Sequence, residues 1–384
     1  MKAILRAVRN SSDGLCALVA IAFCVCLPSG VLAAPAITGV GGTVSNGQTI
    51  TISGTGFGSS GPTIAIFDDF EKGTSGIPVS TSAGSAQINQ WSRVQGDVRY
   101  SNSYGHSGIK SGTVDFNRRG GDLGQVYLYF NNSTQVYLSL WLYLPVGKDV
   151  PGTNNPDGPN WKLFWLWSDP WPNSDFLPVF LTNQLPMPDG YANWGAADDI
   201  NPPARYQGAW WTSTFKRGEW KRWDLYMKGG QSDGAAQFRE LTNSGFMTIS
   251  DASAVYTMHP GEYWNRLTVP GYGRDDTNSV VYFDDIYFAT GAGARARVEI
   301  GNKSSYMSCT NLAIITPSAW SNTSITATVR QGSFTAGTAA YIFVVDSTGV
   351  ASPGYPVTIG SGGNDPSPAP STVSAPTGLR VMTN

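Results

Sequence analysis

Residues 136–145 read "VYLSLWLYLP". Leu138, Leu140, Leu142 and Leu144 share one parity, and Tyr137, Ser139, Trp141 and Tyr143 share the other. Successive side chains of a strand point to opposite faces. The stretch therefore reads as a strand with one aliphatic face and one face of rings and hydroxyls. "QVYLYF" (125–130) repeats the division, with Val126, Leu128 and Phe130 set against Tyr127 and Tyr129. In "EWKRWDLYMK" (219–228), Trp223, Leu225 and Met227 fall on the core side, and Trp220, Arg222, Asp224, Tyr226 and Lys228 point the other way. Such strands predict a sheet packed through its aliphatic face against a second sheet. Read as neighbours, the three strands turn their aromatic faces toward a trough. The alternative is that other parts of the chain cover these rings as a second small core.

Composition agrees with an all-β chain. The 384 residues include 45 Gly, 24 Pro, 12% aromatic and only 14% charged residues, against roughly 25% charged in average proteins. Short apolar runs alternate with Gly, Asn, Ser and Pro, and helical periodicity is missing beyond the N-terminus. Residues 1–33 read as a secretory signal peptide. Lys2, Arg6 and Arg9 lead an apolar run from Leu15 to Leu27, with small residues before a cleavage point after Ala33. The run is too short for a membrane span. Residues 1–33 carry three basic and one acidic side chain, so the remainder has a net charge of −4. An acidic chain without a basic stripe excludes nucleic acid as the expected partner. Cys309 alone follows the signal, which leaves no cysteine to pair with it inside the mature chain. The expected location is secreted, extracellular or at the cell surface, the periplasm included. Oligomeric state is not legible.

Residues 36–66 contain "QTITIS" and "GTGFGSSGP", and residues 294–360 contain "ARVEIGN", "SNTSITATV" and "AAYIFVVDSTGV". The two segments resemble the two halves of an immunoglobulin-like domain of the IPT/TIG family. The expected organisation is one small β-sandwich, 36–66 plus 294–360, interrupted by an insert over 67–291. Residues 361–384 read as a Pro/Gly/Ser-rich linker and tail whose "SAPTGLRV" resembles the opening strand of a fibronectin type III domain.

The insert holds twelve of the thirteen tryptophans. "FDDFEKGT" (67–74), "HSGIKSGTVDF" (106–116) and "VYFDDIYFAT" (281–290) resemble a concanavalin A-like jelly roll, a superfamily of lectins, carbohydrate-binding modules, glucanases and polysaccharide lyases. The resemblance implies a jelly-roll β-sandwich inserted into the smaller sandwich, and a polysaccharide partner. Sugar rings pack their C–H faces on aromatic rings, so Tyr127, Tyr129, Tyr137, Trp141 and Tyr143 are candidate carbohydrate-binding residues. Trp171, between two prolines, and Trp210 and Trp211 in "GAWW" join them as loop candidates. In "NWKLFWLW" (160–167), Trp161, Leu163, Trp165 and Trp167 share a parity opposite Lys162. A lysine resists burial, which places those tryptophans in the core.

"DLYMKGG" resembles the Tyr-x-Lys-x-Gly strand of jelly-roll alginate lyases. That likeness implies catalytic roles for Tyr226 and Lys228, with Arg222 neutralising substrate charge and His106 as a further candidate. The Gln-x-His strand of those lyases is missing, as is the Glu-x-Asp-x-x-Glu run of glucanases. Asp68, Asp69 and Glu71 open the insert and Asp284 and Asp285 close it. If the first and last strands lie side by side, these carboxylates suit a structural Ca²⁺. The favoured function is polysaccharide binding in an aromatic groove. The alternatives are a lyase acting on a uronic-acid polymer by β-elimination and a structural or adhesion protein.

Overall fold

The computed structural model describes residues 34–116, 124–151, 161–168, 176–182, 191–194, 209–212, 216–273 and 278–361. The described chain opens with β1 (Ala36–Gly41) and β2 (Thr49–Thr55). β3 (Thr63–Asp68) begins before residue 67 yet joins the insert's front sheet, and the insert goes on to supply β4 (Arg93–Gly96), β5 (Val98–Ser101), β6 (Ser111–Asp115), β7 (Gly124–Ser133), β8 (Gln135–Tyr143), β9 (Trp161–Trp167), β10 (Phe176–Thr182), β11 (Tyr191–Trp194) and β12 (Ala209–Thr212). It continues through β13 (Trp220–Lys228), β14 (Gly234–Thr242), β15 (Gly245–Val255), β16 (Trp264–Val269), β17 (Tyr272–Gly273) and β18 (Val280–Thr290). Then come β19 (Arg297–Gly301), β20 (Leu312–Trp320), β21 (Ser324–Thr328), β22 (Ala339–Val345) and β23 (Tyr355–Thr358). The described residues form no α-helix.

The fold is all-β, a jelly-roll sandwich inserted into a smaller immunoglobulin-like one. Strands from before and after the insert share one antiparallel ladder, β1-β2-β21-β20-β19-β22-β23. It curls until β1 meets β22 and β23. Val40, Ile52, Phe57, Val298, Ile315 and Val344 fill its core. The insert folds into two antiparallel sheets. The front sheet runs β15-β14-β13-β8-β18-β6-β5, with β3 also on β18. The back sheet runs β12-β11-β10-β9-β16-β7-β4, with β17 also on β9. Their aliphatic faces meet, Leu138, Leu140, Trp223 and Phe288 from the front against Val126, Leu128, Trp161 and Leu267 from the back.

Parity within each strand follows the expectation, but the three strands are not neighbours. The β8 and β13 strands pair directly, Leu225 opposite Leu138, whereas β7 lies on the back sheet between β4 and β16. The ring faces of β7 and β8 therefore look out on opposite sides of the jelly roll.

Gly54 marks how closely the small sandwich packs. A Cβ there would lie 2.1 Å from the Ala36 carbonyl oxygen and 2.4 Å from Phe57 Cζ. Gly54→Ala is expected to cost about 1–3 kcal/mol through overpacking. Urea unfolding checks this, and an unchanged midpoint would contradict it.

Candidate functional site

The outer face of the front sheet holds most of the residues singled out from the sequence, and the small sandwich seals it. Tyr137, Trp141 and Tyr226 are 4%, 6% and 8% exposed. Tyr137, Tyr226 and Tyr287 share a cluster with Ala294 and Ile314, and Trp141 shares one with Tyr306, Leu312 and Phe343. An open trough on this side is corrected by that cover. Tyr143 is buried at the edge, stacked on Tyr104 with centroids 4.5 Å apart.

Charges fill the middle of this interface. Arg222 donates to both oxygens of Asp224, at 2.8 and 3.1 Å, and to Glu299 Oε2 at 2.6 Å. Arg297 donates to Glu299 Oε1 at 2.6 Å, and its guanidinium lies over the Tyr137 ring at 4.4 Å. The Tyr137 hydroxyl donates to Asp224 at 2.7 Å and the Tyr306 hydroxyl to Glu299 at 2.8 Å. Burial opposes the charge on Arg222, yet Asp224 and Glu299 outweigh it and hold the guanidinium protonated. Burial likewise works against the Asp224 carboxylate, but Arg222 and Arg297 hold it below its usual range. Desolvation pushes the Tyr137 hydroxyl well above its usual value. Arg222 and Tyr226 thus serve the domain contact and do not reach solvent as a cleft would require. Lys228, at the strand end, pairs with Asp233 at 2.8 Å.

His106 is part of the same contact. Its ring stacks on Trp141, centroids 3.7 Å apart, with Trp220 edge-on at 5.6 Å. Asp285 Oδ2 lies 2.7 Å from its Nδ1. The acidic ends do come together, since β3 pairs with β18. A bulge with Asp285 at φ 48° shifts the parity of β18 and turns both carboxylates toward the His106–Ser107 turn.

Many of these carboxylate oxygens are already engaged by donors of the chain. Asp68 accepts from the Phe70 amide and Trp91 Nε1, and Asp284 accepts from the amides of His106, Ser107 and Asp285. Glu71 Oε1 takes the amides of Ile109 and Lys110, and Asp69 Oδ1 takes Gln87. Among the described residues, no group of three His, Cys, Asp or Glu side chains could hold a metal ion. Burial pushes the Asp68 carboxyl up to about 7 and raises Asp69, while burial and then Asp285 drive Asp284 well above the usual range.

The back sheet carries an aromatic face that the small sandwich does not cover by any of these contacts. Pairing aligns Arg93, Tyr127, Thr268 and Trp165 in one row across β4, β7, β16 and β9. The next row is Tyr129, Arg266 and Trp167, and Gln95 and Gln125 pair on the other side. Tyr129 is 47% exposed, whereas Tyr127, Thr268 and Gln125 lie buried at the floor. Arg266 sits 4.4 Å over the Trp167 ring and Arg93 5.1 Å over Tyr127. Tyr127 takes a hydrogen bond from Gln125 at 2.6 Å and donates to Gln95. Burial raises the Tyr127 hydroxyl above its usual value.

The place of Trp165 and Trp167 on this face corrects the core assignment. Trp161 and Leu163 do enter the core, but Leu166 enters it too. Phe180 pairs with Lys162 and Val179 with Phe164, which leaves Leu163 as an extra residue in β9. One inserted residue reverses the faces of everything beyond it. Trp210 and Trp211 fall on β12 at the edge of the same sheet. Trp171 lies outside the described residues, as do residues 1–33 and 362–384.

No family model and no curated protein matches the chain. Among solved structures, it is similar to an endo-β-1,4-glucuronan lyase from Trichoderma reesei, at 11% identity and a TM-score of 0.38 over 53% of this chain and 92% of that one. It is similar to alginate lyase vAL-1 from Chlorella virus, at 12% identity and a TM-score of 0.34 over 52% and 93%. A third similar structure is the Ca²⁺-bound exoplasmic/lumenal domain of VIP36, at 11% identity and a TM-score of 0.36 over 62% and 94%. Likeness at this level carries no argument about activity.

The raised carboxyls fix a pH dependence. The folded chain keeps a proton on Asp68 that the unfolded chain releases above about pH 4, and burial shifts Asp69 and Asp284 in the same direction. The Asp68 contribution is complete below that pH and is lost as the pH rises through about 7. The urea midpoint is expected to fall from about pH 4.5 to about pH 7.5, by up to about 1.4 kcal/mol per pH unit for each such carboxyl. A midpoint that rises over that window would contradict this arrangement.

Proposed function

We propose that the chain is a secreted polysaccharide-binding protein that holds an acidic glycan across the outer face of the back sheet. One observation carries the reading: Tyr127, Tyr129, Trp165 and Trp167 alternate on one face with Arg93 and Arg266 and with the amides of Gln95 and Gln125. Flat rings offer stacking surfaces for pyranose C–H faces. The guanidinium groups suit carboxylates, and the half-buried Gln95 amide suits sugar hydroxyls. Secretion rests on the basic and apolar start of the sequence. Among the described residues no helix is long and apolar enough to cross a membrane.

Binding without turnover is favoured over β-elimination. The tyrosine and arginine that the lyase resemblance assigns to a cleft, Tyr226 and Arg222, lie under the small sandwich.

Affinity electrophoresis in gels loaded with alginate or glucuronan tests the proposal. Trp165→Ala and Trp167→Ala are each expected to weaken retardation roughly tenfold, about 1.4 kcal/mol. Tyr226→Phe is expected to leave it unchanged. Unaltered retardation of the double tryptophan variant would overturn the proposal, and unsaturated products absorbing in the ultraviolet would restore the lyase reading.

A further inference from the structure

A cleft of about 390 Å³ opens where the two sandwiches meet, beside the His106 turn. Its size falls in the range of about 300–1,000 Å³ common for small-molecule sites. One wall comes from the jelly roll, with Asp69, Glu71, His106 and Asp285. The other comes from the small sandwich, with Asn46 and the segment from Arg330 to Thr335. Phe67 and Phe334 line it and are themselves buried.

Asp69, Glu71 and Arg330 line the same cleft, and among the described residues Arg330 forms no ion pair with either carboxylate. Asp69 commits Oδ1 to Gln87 and the Glu71 amide, and Glu71 commits Oε1 to two amides. Among the described residues, the second oxygen of each makes no hydrogen bond. Across the cleft, Arg330 Nε is buried with no hydrogen-bond partner. Arg330 forms no ion pair among the described residues. Burial lowers its guanidinium pKa, and Asp69 partly offsets that shift, so the two charges sense each other across the gap. A buried donor left unmet costs about 1–3 kcal/mol.

We propose that this cleft is a second saccharide site, taking one neutral pyranose unit whose adjacent hydroxyls bridge Asp69 and Arg330. A vicinal diol donates to the carboxylate with one hydroxyl and accepts from the guanidinium with the other. A second acid is disfavoured, because Asp69, Glu71 and Asp285 already place three carboxyl groups at the cleft. The site is separate from the back sheet and does not depend on the glycan reading of that face.

Calorimetric titration of the full chain with D-glucose, and separately with D-glucuronate, tests this. Glucose is expected to give saturable binding, with glucuronate at least about tenfold weaker. Arg330→Met and Asp69→Asn are each expected to weaken glucose binding by about tenfold, while Arg330→Met keeps the wild-type retardation in alginate gels. Asp69→Asn preserves shape and remains decisive if the arginine variant fails to fold. Absence of saturable glucose binding overturns the proposal, as does undiminished binding by the asparagine variant. Glucuronate binding as tight as glucose overturns the neutral-sugar assignment. Loss of gel retardation with glucose binding intact would count against the back-sheet reading alone.

Discussion

Arg222 and Glu299 meet at 2.6 Å across the junction of the two sandwiches, and both are buried. Neither charge is tolerable there alone, because a buried ion without a partner costs several kcal/mol. Each is held twice over. Asp224 takes the remaining donors of Arg222, and Arg297 and Tyr306 take the other oxygen of Glu299. The network therefore fixes one relative placement of the domains, since a shift of a few ångströms would strand several charges together. Rings pack around it: Tyr137 beneath Arg297, Tyr226 beneath Arg295 and Phe246 near Arg222.

That junction decides which surface is left for a partner. With the front sheet covered, Tyr129 on the back sheet is the most exposed aromatic side chain of the jelly roll among the described residues. A single extra residue in β9 is what brings Trp165 and Trp167 there beside Arg266. The junction also creates the cleft lined by Asp69 and Arg330, which neither sandwich could form alone. The same contact that closes one candidate face thus builds a different recess at its edge.

The alternation in β7, β8 and β13 made the strands and their core-facing residues legible, and the interrupted small sandwich was foreshadowed by its separated turn and strand signals. What covers a polar-aromatic face was not legible, because parity says only that a side chain leaves the core. Solvent, a ligand and a second domain all accept rings interleaved with charges. One signal was present: Arg222-x-Asp224 on β13 is mirrored by Arg297-x-Glu299 on β19, two same-face pairs of opposite charge in segments read as separate domains. Val298 and Ile300 between and after them face the small core, so the charged parity had to meet something. The bulge in β9 left no comparable trace. Lys162 predicts one outer parity for the whole strand, and Trp161 and Leu163 follow that prediction whereas Leu166, beyond the inserted residue, does not. The carboxylates of β3 and β18 were correctly brought together by reading the ends of the insert as neighbours. Their engagement by backbone amides depends on turn geometry that residue types alone do not fix.

The most direct measurement is a double-mutant cycle on stability with Arg222→Met, Glu299→Gln and the pair. These residues belong to different sandwiches and can couple only if the front sheet is sealed as described. Each single substitution is expected to cost about 3–5 kcal/mol, and the pair to cost less than the sum by at least about 1.5 kcal/mol. Costs that add to within about 0.5 kcal/mol would mean that the two side chains do not meet, and would reopen the front face as a binding surface.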